Sequence, residues 1–234
     1  MKIALLGYGK MGLAIEKIAV ERGHEIVLRK RKDDTYDGLE QAHVAIDFSV
    51  PDAAVPHLKK ALTTGIPVIS GTTGWLKKYN DIVDLCQKEN GAFLYASNFS
   101  LGVNLFFELN SHLAKLMATH ANYDVAMEEI HHTQKLDAPS GTAITIANGI
   151  IENSHYKQWT LDEPTLSEDL KINVKRIDHV PGTHVVSYTS EIDTIEIKHT
   201  AHSRIGFALG AIIAAEWIVN KKGIYTMKDV LGLY

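Results

Sequence analysis

The 234-residue sequence contains one cysteine, Cys86, and six prolines. A single cysteine excludes an internal disulfide and a cysteine-based metal cluster, so we expect a reducing, cytoplasmic setting. The formal net charge of −4 carries no basic excess, which argues against a nucleic-acid partner. No apolar stretch reaches the length that crosses a bilayer, because the longest, residues 205–219, is interrupted by two glycines and Glu216. We therefore predict a protein that binds neither nucleic acid nor a membrane.

The composition that remains is that of an ordinary globular protein. Hydrophobic residues make up 45% of the chain and charged residues 22%, and the length suffices for one large domain or two modest ones. A core of normal size is expected without disulfides. Cys86 lies in a helical pattern, and we interpret it as a small buried hydrophobic residue.

A glycine-rich turn follows the first predicted strand, residues 2–6. Residues 7–12 read Gly-Tyr-Gly-Lys-Met-Gly, a helical pattern continues to Gly23, and a second apolar run covers residues 24–28. In this strand–helix–strand context, G-x-G-x-x-G is typical of dinucleotide-binding folds. Its glycines permit a tight turn, close approach of backbone to a pyrophosphate, and close packing of helix on strand. The alternative is a glycine turn in an α/β domain that binds no nucleotide.

A basic run, residues 29–32, follows the second predicted strand. An NAD-preferring unit usually places Asp or Glu there to hold the ribose 2′-OH, whereas the first carboxylates here are Asp33 and Asp34. Cations suit a 2′-phosphate. We therefore predict that NADPH is preferred over NADH, which stays an alternative cofactor, and that Lys30 and Arg31 contact the phosphate. A solvated basic turn is the competing interpretation.

Three further predicted strands end in small polar residues. Residues 44–49 end with Asp47 and Ser49, residues 65–70 lead into Gly-Thr-Thr-Gly at 71–74, and residues 92–96 lead into Ser-Asn-Phe-Ser at 97–100. Predicted helices separate these strands. Because ligands of open parallel sheets bind at the carboxyl ends of the strands, we expect the three ends to line one crevice. Each turn taken alone is equally compatible with a plain loop.

The second half of the chain has a different pattern. Period-2 alternation predicts strands at 123–130, 171–175, 185–189 and 194–199, while residues 155–169 read as irregular. Strands without intervening helices favour a largely antiparallel, mixed sheet with one open face. A closing helix, residues 204–219, is expected to place Ile205, Leu209, Ile212, Ile213 and Trp217 on its apolar side.

These patterns predict an α/β fold with two domains. A Rossmann-type, doubly wound parallel sheet is expected over residues 1–99 together with 205–234. An α+β domain, whose sheet is mixed and largely antiparallel, is expected over residues 100–204. The closing helices return to the first domain because the strands of the second domain are complete by about His202.

A loop after the strand at 123–130 carries several chemically active groups. Residues 128–142 read Glu-Glu-Ile-His-His-Thr-Gln-Lys-Leu-Asp-Ala-Pro-Ser-Gly-Thr. His131 exchanges a proton near neutral pH and Lys135 carries a positive charge. The Ser140-Gly141-Thr142 turn begins a helix whose first N–H groups bind anions. The combination predicts a small dianionic substrate.

Two alternatives exist for the adjacent histidines of this loop. A histidine pair on a surface loop is often merely solvated. A metal site is the other alternative, but no carboxylate or further histidine stands at a standard ligand spacing such as H-E-x-x-H. We therefore predict no metal ion.

The chain resembles the 4-hydroxy-tetrahydrodipicolinate reductase family, also called dihydrodipicolinate reductase, of the bacterial diaminopimelate and lysine pathway. The most specific match is residues 129–142, from Glu129-Ile-His-His to Pro-Ser-Gly-Thr. The resemblance covers nearly the whole chain, with shorter matches at 7–12, 46–49, 71–74, 97–100, 181–184 and 199–204.

The resemblance implies NAD(P)H-dependent reduction of a small cyclic dicarboxylate, with loss of water, to tetrahydrodipicolinate. It implies that His131 is the proton donor and that Lys135 donates a proton and orients the substrate. His132, Gly141 and Thr142 match substrate-contacting positions, and Ser140 opens the same anion-binding turn. The segments that match nucleotide contacts comprise Gly7, Tyr8, Gly9, Lys10, Met11, Gly12, Gly71, Thr72, Thr73, Ser97, Asn98, Phe99 and Ser100.

The resemblance also implies a homotetramer assembled through the sheet of the second domain. Two departures from the family pattern stand out. Many members carry an acid near the end of the second strand, where this chain has Arg31, and this supports the NADPH prediction. Asp178 and His179 are unusual after Arg176, so we assign no role to that turn.

Two other functions compete with this interpretation. One is a related two-domain dehydrogenase of an amino acid, of the aspartate or diaminopentanoate type, which would share the nucleotide domain and differ in the substrate loop. The other is a nucleotide-sensing module without catalysis. A sensor has no need of His131, Lys135 and the Ser-Gly-Thr turn together, so the loop favours an enzyme.

Overall fold

Eleven strands and seven α-helices make up residues 1–233, the part of the chain that the computed structural model describes. The strands are β1 (Lys2–Leu6), β2 (Glu25–Lys30), β3 (Val44–Asp47), β4 (Val68–Ser70), β5 (Ala92–Tyr95), β6 (Asp124–His131), β7 (Gln158–Thr160), β8 (Asp169–Arg176), β9 (Gly182–Thr189), β10 (Thr194–Ala201) and β11 (Gly223–Tyr225). The helices are α1 (Lys10–Glu21), α2 (Pro51–Thr63), α3 (Tyr79–Lys88), α4 (Leu101–Met117), α5 (Gly141–Ile151), α6 (Ile205–Ile218) and α7 (Met227–Leu231).

The chain divides into two units. Unit 1 comprises Met1–Leu101 and the segment that begins at Arg204, and unit 2 comprises Gly102–Ser203. Unit 1 contains a six-stranded sheet in the order β11-β5-β4-β3-β1-β2, in which every pairing is parallel. Helix α1 connects β1 to β2, α2 connects β3 to β4 and α3 connects β4 to β5, and such crossovers are the arrangement that parallel pairing requires.

Side chains of β1 alternate between two hydrophobic cores. Ile3 and Leu5 pack on the side of α1 and α6, while Ala4 and Leu6 pack on the side of α2 and α3. Burial on both faces explains why these strands are continuous apolar runs. The predicted doubly wound sheet is confirmed. Cys86 belongs to the α2–α3 core and is 1% exposed, as expected of a small hydrophobic residue.

Helix α6 approaches the sheet of unit 1 very closely. A side-chain carbon at Gly210 would lie 1.7 Å from the carbonyl oxygen of Phe99, so only glycine fits there. The buried side of the helix consists mainly of small residues, and Ile205 and Leu209 are 61% and 37% exposed. The prediction that Ile205 and Leu209 lie on the buried face of α6 was therefore wrong. Because α6 lies so close to the backbone at Phe99, its buried face needs small side chains rather than the largest apolar ones.

Unit 2 has a five-stranded sheet in the order β10-β9-β6-β8-β7. Strand β9 pairs antiparallel with β10 and β6, whereas β8 pairs parallel with β6 and β7. The sheet is mixed, as predicted, with antiparallel pairing confined to two of the four pairs. The parallel β6–β8 pair follows from the long connection through α5, which carries the chain back to its starting edge.

Helices α4 and α5 pack on one face of this sheet. Met127, Ile172 and Val186 lie opposite one another on that face and join the same core as Phe106 and Ile146. The alternate residues point to the other face and, apart from the buried Thr183 of β9, those of β6, β9 and β10 are half-buried or exposed. Strand periodicity thus creates one packed face and one open face.

Two short strands were missing from the sequence prediction. Strand β7 lies inside the segment predicted as irregular, and β11 extends the sheet of unit 1 beside β5. Each is three residues long, which is too short to show a period-2 pattern. No helix among the described residues is long and apolar enough to cross a membrane.

Candidate active site

The glycine turn between β1 and α1 has the geometry that its sequence predicts. The N–H groups of Gly7 and Tyr8 both donate to the carbonyl oxygen of Lys30, at 3.1 and 3.0 Å. Gly7 has φ +105°, and a side chain there would collide with the backbone of Phe48, with a Cβ 2.2 Å from the carbonyl oxygen. A Cβ at Gly12 would lie 2.6 Å from the Gly7 carbonyl oxygen, while the corresponding position at Gly9 has no atom within 4 Å. Gly9 therefore leaves room for a phosphate at the start of α1.

The other predicted positions of this turn differ in exposure. Lys10 is exposed, and Met11 is half-buried against the α1–α6 core. The hydroxyl of Tyr8 donates to Glu16, and the guanidinium of Arg31 lies over the Tyr8 ring at 5.4 Å. Tyr8 thus joins the glycine turn to the basic turn after β2.

The ends of β3, β4 and β5 meet around Phe48, as the sequence predicts. The Phe48 ring lies 5.5 Å from the Phe99 ring, and a Cβ at Gly71 would touch it at 2.3 Å. Beside it, the Ser49 N–H donates to the Thr72 hydroxyl at 2.8 Å. The glycine turn, the Gly-Thr-Thr turn and the Ser-Asn-Phe-Ser turn therefore form one surface at the carboxyl edge of the sheet.

Not every predicted residue of these turns presents its side chain to a ligand. Phe99 is 1% exposed and belongs to the core, and Thr72 is 5% exposed. Thr73 is exposed, and Ser97 is half-buried. Within the turn after β5, Asn98 accepts the N–H of Ser100 at 2.9 Å, which stabilises the turn itself. Phe99 and Thr72 shape the surface from below.

A cavity of about 340 Å³ opens beside the glycine turn. Its lining includes Gly9, Ser49 and three consecutive cations, Lys30, Arg31 and Lys32. Lys30 is 5% exposed, and its ammonium donates to the carbonyl oxygens of Arg31 and Lys32 at 2.8 and 3.3 Å. Lys30 consequently stabilises the basic turn, while Arg31 and Lys32 are exposed. Lys32 was not among the predicted contacts.

Below the cavity, Asp47 holds a buried polar network. It accepts the Ser49 and Ser70 hydroxyls at 2.6 and 2.8 Å and contacts the His57 ring at 3.1 Å. With an exposure of 0%, Asp47 cannot meet a ligand directly. It supports the turn that carries Ser49.

In unit 2, the inner face of β6 changes from apolar to polar at its carboxyl end. Met127 belongs to the core, and the next residues on the same face are Glu129 and His131. Strand pairing places His184 of β9 opposite Glu129 and Arg176 of β8 opposite His131. The predicted catalytic histidine therefore lies in a cluster of four polar side chains.

Glu129 is the centre of this cluster. It is 0% exposed, and both of its oxygens accept the N–H of Ser140, at 3.2 and 3.1 Å. Arg176 lies 3.4 Å from one oxygen, and His131 and His184 lie 3.6 and 3.8 Å from the other. Burial alone would raise the pKa of this carboxyl, but the contacts with His184 and Ser140 outweigh burial and lower its pKa to about 2.

His131 is 8% exposed, and its ring meets the His184 ring edge-on, with 5.2 Å between the centroids. Burial lowers its pKa to about 4. The negative charge of Glu129 opposes this shift, whereas His184, Lys135 and Arg176 add to it. A dianion bound beside these cations would offset their charge and favour the protonated imidazole.

The loop after β6 is held by Arg176. Its guanidinium donates to the carbonyl oxygens of Lys135 and Asp137, at 3.3 and 2.7 Å. The ammonium of Lys135 donates to both carboxylate oxygens of Asp137 at 2.8 Å. Although burial acts against it, this ion pair lowers the pKa of Asp137 below its usual value. A substrate carboxylate would compete with Asp137 for Lys135.

The loop ends at the first turn of α5. The Ser140 hydroxyl accepts the N–H of Ala143 at 3.1 Å, so Ser140 caps the helix, and it is 3% exposed. Gly141 is exposed at the first helical position and Thr142 is half-buried. His132 is half-buried on the loop. An anion at this helix start would meet Gly141 and Thr142 rather than the engaged groups of Ser140.

Glu129, His131 and His184 have ligand atoms within 4.8 Å of one another, a spacing that a metal ion could use. However, Glu129 already accepts two hydrogen bonds from Ser140 and faces the guanidinium of Arg176. A cation among them would be repelled by Arg176. The arrangement favours a hydrogen-bonded cluster, and the prediction of no metal stays a prediction.

Comparison with known proteins defines the family. The model of the dihydrodipicolinate reductase N-terminus matches residues 1–99, and that of the C-terminus matches residues 102–231. The 4-hydroxy-tetrahydrodipicolinate reductase of Christiangramia forsetii is 56% identical over 235 residues, covering 99% of this chain and 98% of that protein. The chain belongs to the 4-hydroxy-tetrahydrodipicolinate reductase family.

Two further reductases of this family are more distant. The 4-hydroxy-tetrahydrodipicolinate reductase of Methanosarcina barkeri is 36% identical over 230 residues, which cover 96% of this chain and 82% of that protein. The solved structure of a dipicolinate-bound dihydrodipicolinate reductase from Paenisporosarcina sp. TG-14 superposes with a TM-score of 0.76 at 23% identity, covering 97% of each chain. This likeness confirms the fold.

Membership in the reductase family confirms the predicted activity class, an NAD(P)H-dependent oxidoreductase of the diaminopimelate and lysine pathway. It disfavours the amino-acid dehydrogenase and the nucleotide sensor as alternatives. A match that spans both halves of the chain includes the substrate loop, where those alternatives would differ.

Sequence reasoning missed three polar residues around His131 in this reductase. Glu129 and His184 lie in quoted family motifs but were given no role, and Arg176 was left unassigned. The available signal was strand alternation, since Glu129 and His131 share one face of a strand. Their partners became visible only with the register of β8 and β9.

Proposed function

We propose that this chain reduces 4-hydroxy-tetrahydrodipicolinate to tetrahydrodipicolinate, with loss of water, in the diaminopimelate route to lysine. The observation that carries the proposal is the segment from β6 to α5. Within twelve residues it holds a buried imidazole, an ammonium group and an exposed helix start. A cyclic dicarboxylate needs this combination of one proton donor and two anion-binding groups.

The reaction divides between cofactor and protein. Bound NADPH or NADH supplies the hydride. His131 donates the proton that balances it, and Lys135 assists in proton donation and holds one substrate carboxylate. Gly141 and Thr142 receive the other carboxylate at the start of α5, where backbone N–H groups stabilise negative charge. His132 contacts the substrate, and Ser140 positions the turn.

The nucleotide binds, in this proposal, at the carboxyl edge of the unit 1 sheet. Gly7 and Gly12 support this assignment through their close backbone approaches, and Gly9 supports it through the open space beside it. The turns around Phe48 support it through their convergence. The proposed contacts are Gly7, Tyr8, Gly9, Lys10, Met11, Gly12, Lys30, Arg31, Gly71, Thr72, Thr73, Ser97, Asn98, Phe99 and Ser100. Lys30 and Phe99 contribute through the shape of their turns rather than through exposed side chains.

A coupled assay tests the function directly. The preceding synthase generates the unstable substrate, and oxidation of NADPH is followed by absorbance. We expect oxidation that depends on both enzymes. Absence of oxidation with fresh synthase product would contradict the proposed reaction, provided that the protein is folded by circular dichroism.

NADPH is proposed as the preferred cofactor because Arg31 is exposed beside the cavity and stacked on Tyr8. Replacing Arg31 by glutamate is expected to lower the ratio of kcat/KM for NADPH to that for NADH by about tenfold or more, as for loss of one charged phosphate contact. The measurement is the pair of KM and kcat values with each cofactor. Lys17→Glu, on the exposed side of α1, serves as the matched control. Equal KM values in the unmutated protein, or an unchanged ratio in Arg31→Glu, would contradict the preference.

We also propose a homotetramer that works in the cytoplasm. The open face of the unit 2 sheet supports assembly, since Ala126, Val185 and Ser187 border a surface hollow of about 230 Å³ there. Sedimentation velocity is expected to give about four times the 25.9 kDa mass of one chain. Ser187→Arg should dissociate the assembly, whereas Thr119→Arg, outside the sheet, should not. A monomeric unmutated protein would rule out this assembly.

A further inference from the structure

The buried carboxylate of Glu129 has no role in the steps described so far. It is 0% exposed, and a charge removed from water is destabilising unless nearby groups compensate it. Here the compensation comes from the Ser140 N–H, the Arg176 guanidinium and two imidazoles. A neutral glutamine would satisfy the Ser140 N–H equally well, so acceptance of that hydrogen bond does not explain a charged residue.

The geometry toward His131 indicates a through-space effect. The Nδ1 atom of His131 lies 3.6 Å from Glu129 Oε2 and is buried without a hydrogen-bond partner. At this separation in a buried site, a negative charge acts strongly on the protonation of the ring.

We propose that Glu129 is a positioning residue for the reduction. Its carboxylate lies 3.6 Å from the His131 ring and favours the protonated form that donates. Through the Ser140 N–H, it also joins this ring to the helix start that receives the substrate. The inference rests on the proposed function of His131 as the donor.

The charges that face His131 come from four elements. His184 on β9, Arg176 on β8 and Lys135 on the loop all lower the pKa of His131, and burial lowers it most. Glu129, on the same strand as His131, raises it. Removing the Glu129 charge therefore leaves burial and three unfavourable neighbours unopposed, and the pKa of His131 must fall.

The test is the pH profile of Glu129→Gln. Activity that needs a protonated donor declines as pH rises through the pKa of the donor. In Glu129→Gln, we expect this decline to occur at a pH about one unit lower than in the unmutated protein. At pH values above the decline, the rate of the variant should be about tenfold lower than that of the unmutated protein. Glu129→Asp keeps the negative charge but moves it away from His131 by the length of one methylene. The pH at which its activity declines should therefore lie between those of Glu129→Gln and the unmutated protein. Glu152→Gln removes an exposed carboxylate at the far end of α5, about 16 Å along the helix, and should keep the original profile.

A merely structural Glu129 would give a different result. The pH profile of Glu129→Gln would then coincide with that of the unmutated protein, with only KM or Tm changed, and this outcome would overturn the proposal.

Nitrogen-15 NMR of the histidine rings provides a second readout that needs no turnover. The pKa of His131 should fall in Glu129→Gln even if the coupled assay shows no reaction, so failure of the proposed function is distinguishable. If Glu129→Gln does not fold, carbon-13 titration of the unmutated protein decides, since a Glu129 carboxyl still protonated at neutral pH refutes the proposal.

Discussion

Replacing His131 by glutamine is expected to lower kcat by roughly a hundredfold or more, the usual contribution of a positioned proton donor. The reason is that His131 is the titratable group at the carboxyl end of β6, on the face that it shares with Glu129 and beside Arg176 and His184. Glutamine keeps a polar side chain but cannot release a proton. The measurement is kcat with synthase-generated substrate at saturating NADPH.

The control for this variant is His120→Gln, which removes an exposed histidine of the same unit. It should keep normal kcat. The affinity of His131→Gln for NADPH should also be normal, because the histidine lies in unit 2 and the nucleotide contacts are proposed in unit 1. Near-normal kcat in His131→Gln would mean that another group supplies the proton.

Replacing Lys135 by alanine is expected to lower kcat by roughly a hundredfold and to raise the KM for the dicarboxylate. The side chain of Lys135 is 21% exposed, and its ammonium is held by Asp137 at 2.8 Å. A substrate carboxylate that replaces Asp137 gains a charge-assisted hydrogen bond, which is among the strong ones. Alanine removes this contact together with the proton that the ammonium supplies. Steady-state kinetics over a range of substrate concentrations separates the two effects.

Lys171→Ala is a matched control, because Lys171 is also an ion-paired, half-buried lysine of unit 2, with Glu163 as its partner. It should leave kcat and KM unchanged. An effect of Lys135→Ala on KM alone would assign Lys135 to binding and leave His131 as the sole proton donor. Normal values of both constants would remove Lys135 from the site.

Much of the fold was readable from local patterns. The strand–glycine–helix unit at residues 2–23 and the period-2 strand that delivers His131 both agree with the structure. These patterns are strong because the glycine positions and the alternation of side chains reflect the local geometry of the backbone. Strands β7 and β11 escaped prediction because three residues joined to a neighbouring strand depend on that neighbour.

Tertiary contacts explain one error of sequence reasoning and show the surroundings of Lys30. The face of α6 was predicted from its largest apolar residues, but the contact of Gly210 with Phe99 requires small ones. Lys30 was predicted as a phosphate contact on its charge alone. In the structure its ammonium donates to two carbonyl oxygens of its own turn, which leaves Arg31 and Lys32 exposed. The prediction that Lys30 and Arg31 contact the phosphate stays a prediction.

In the loop at residues 128–142, the sequence already contained the proposed proton donor, the cation and the helix start, since each property belongs to a single residue or to one turn. Strand pairing supplied the environment of these groups. The register of β6 with β8 and β9 places Arg176 and His184 around Glu129 and His131. Burial then lowers the pKa of His131, whereas the contacts of Glu129 with His184 and Ser140 outweigh burial and lower the pKa of its carboxyl. Electrostatic interactions depend on distance in space and on access of water, and neither quantity is encoded in the separation of residues along the chain.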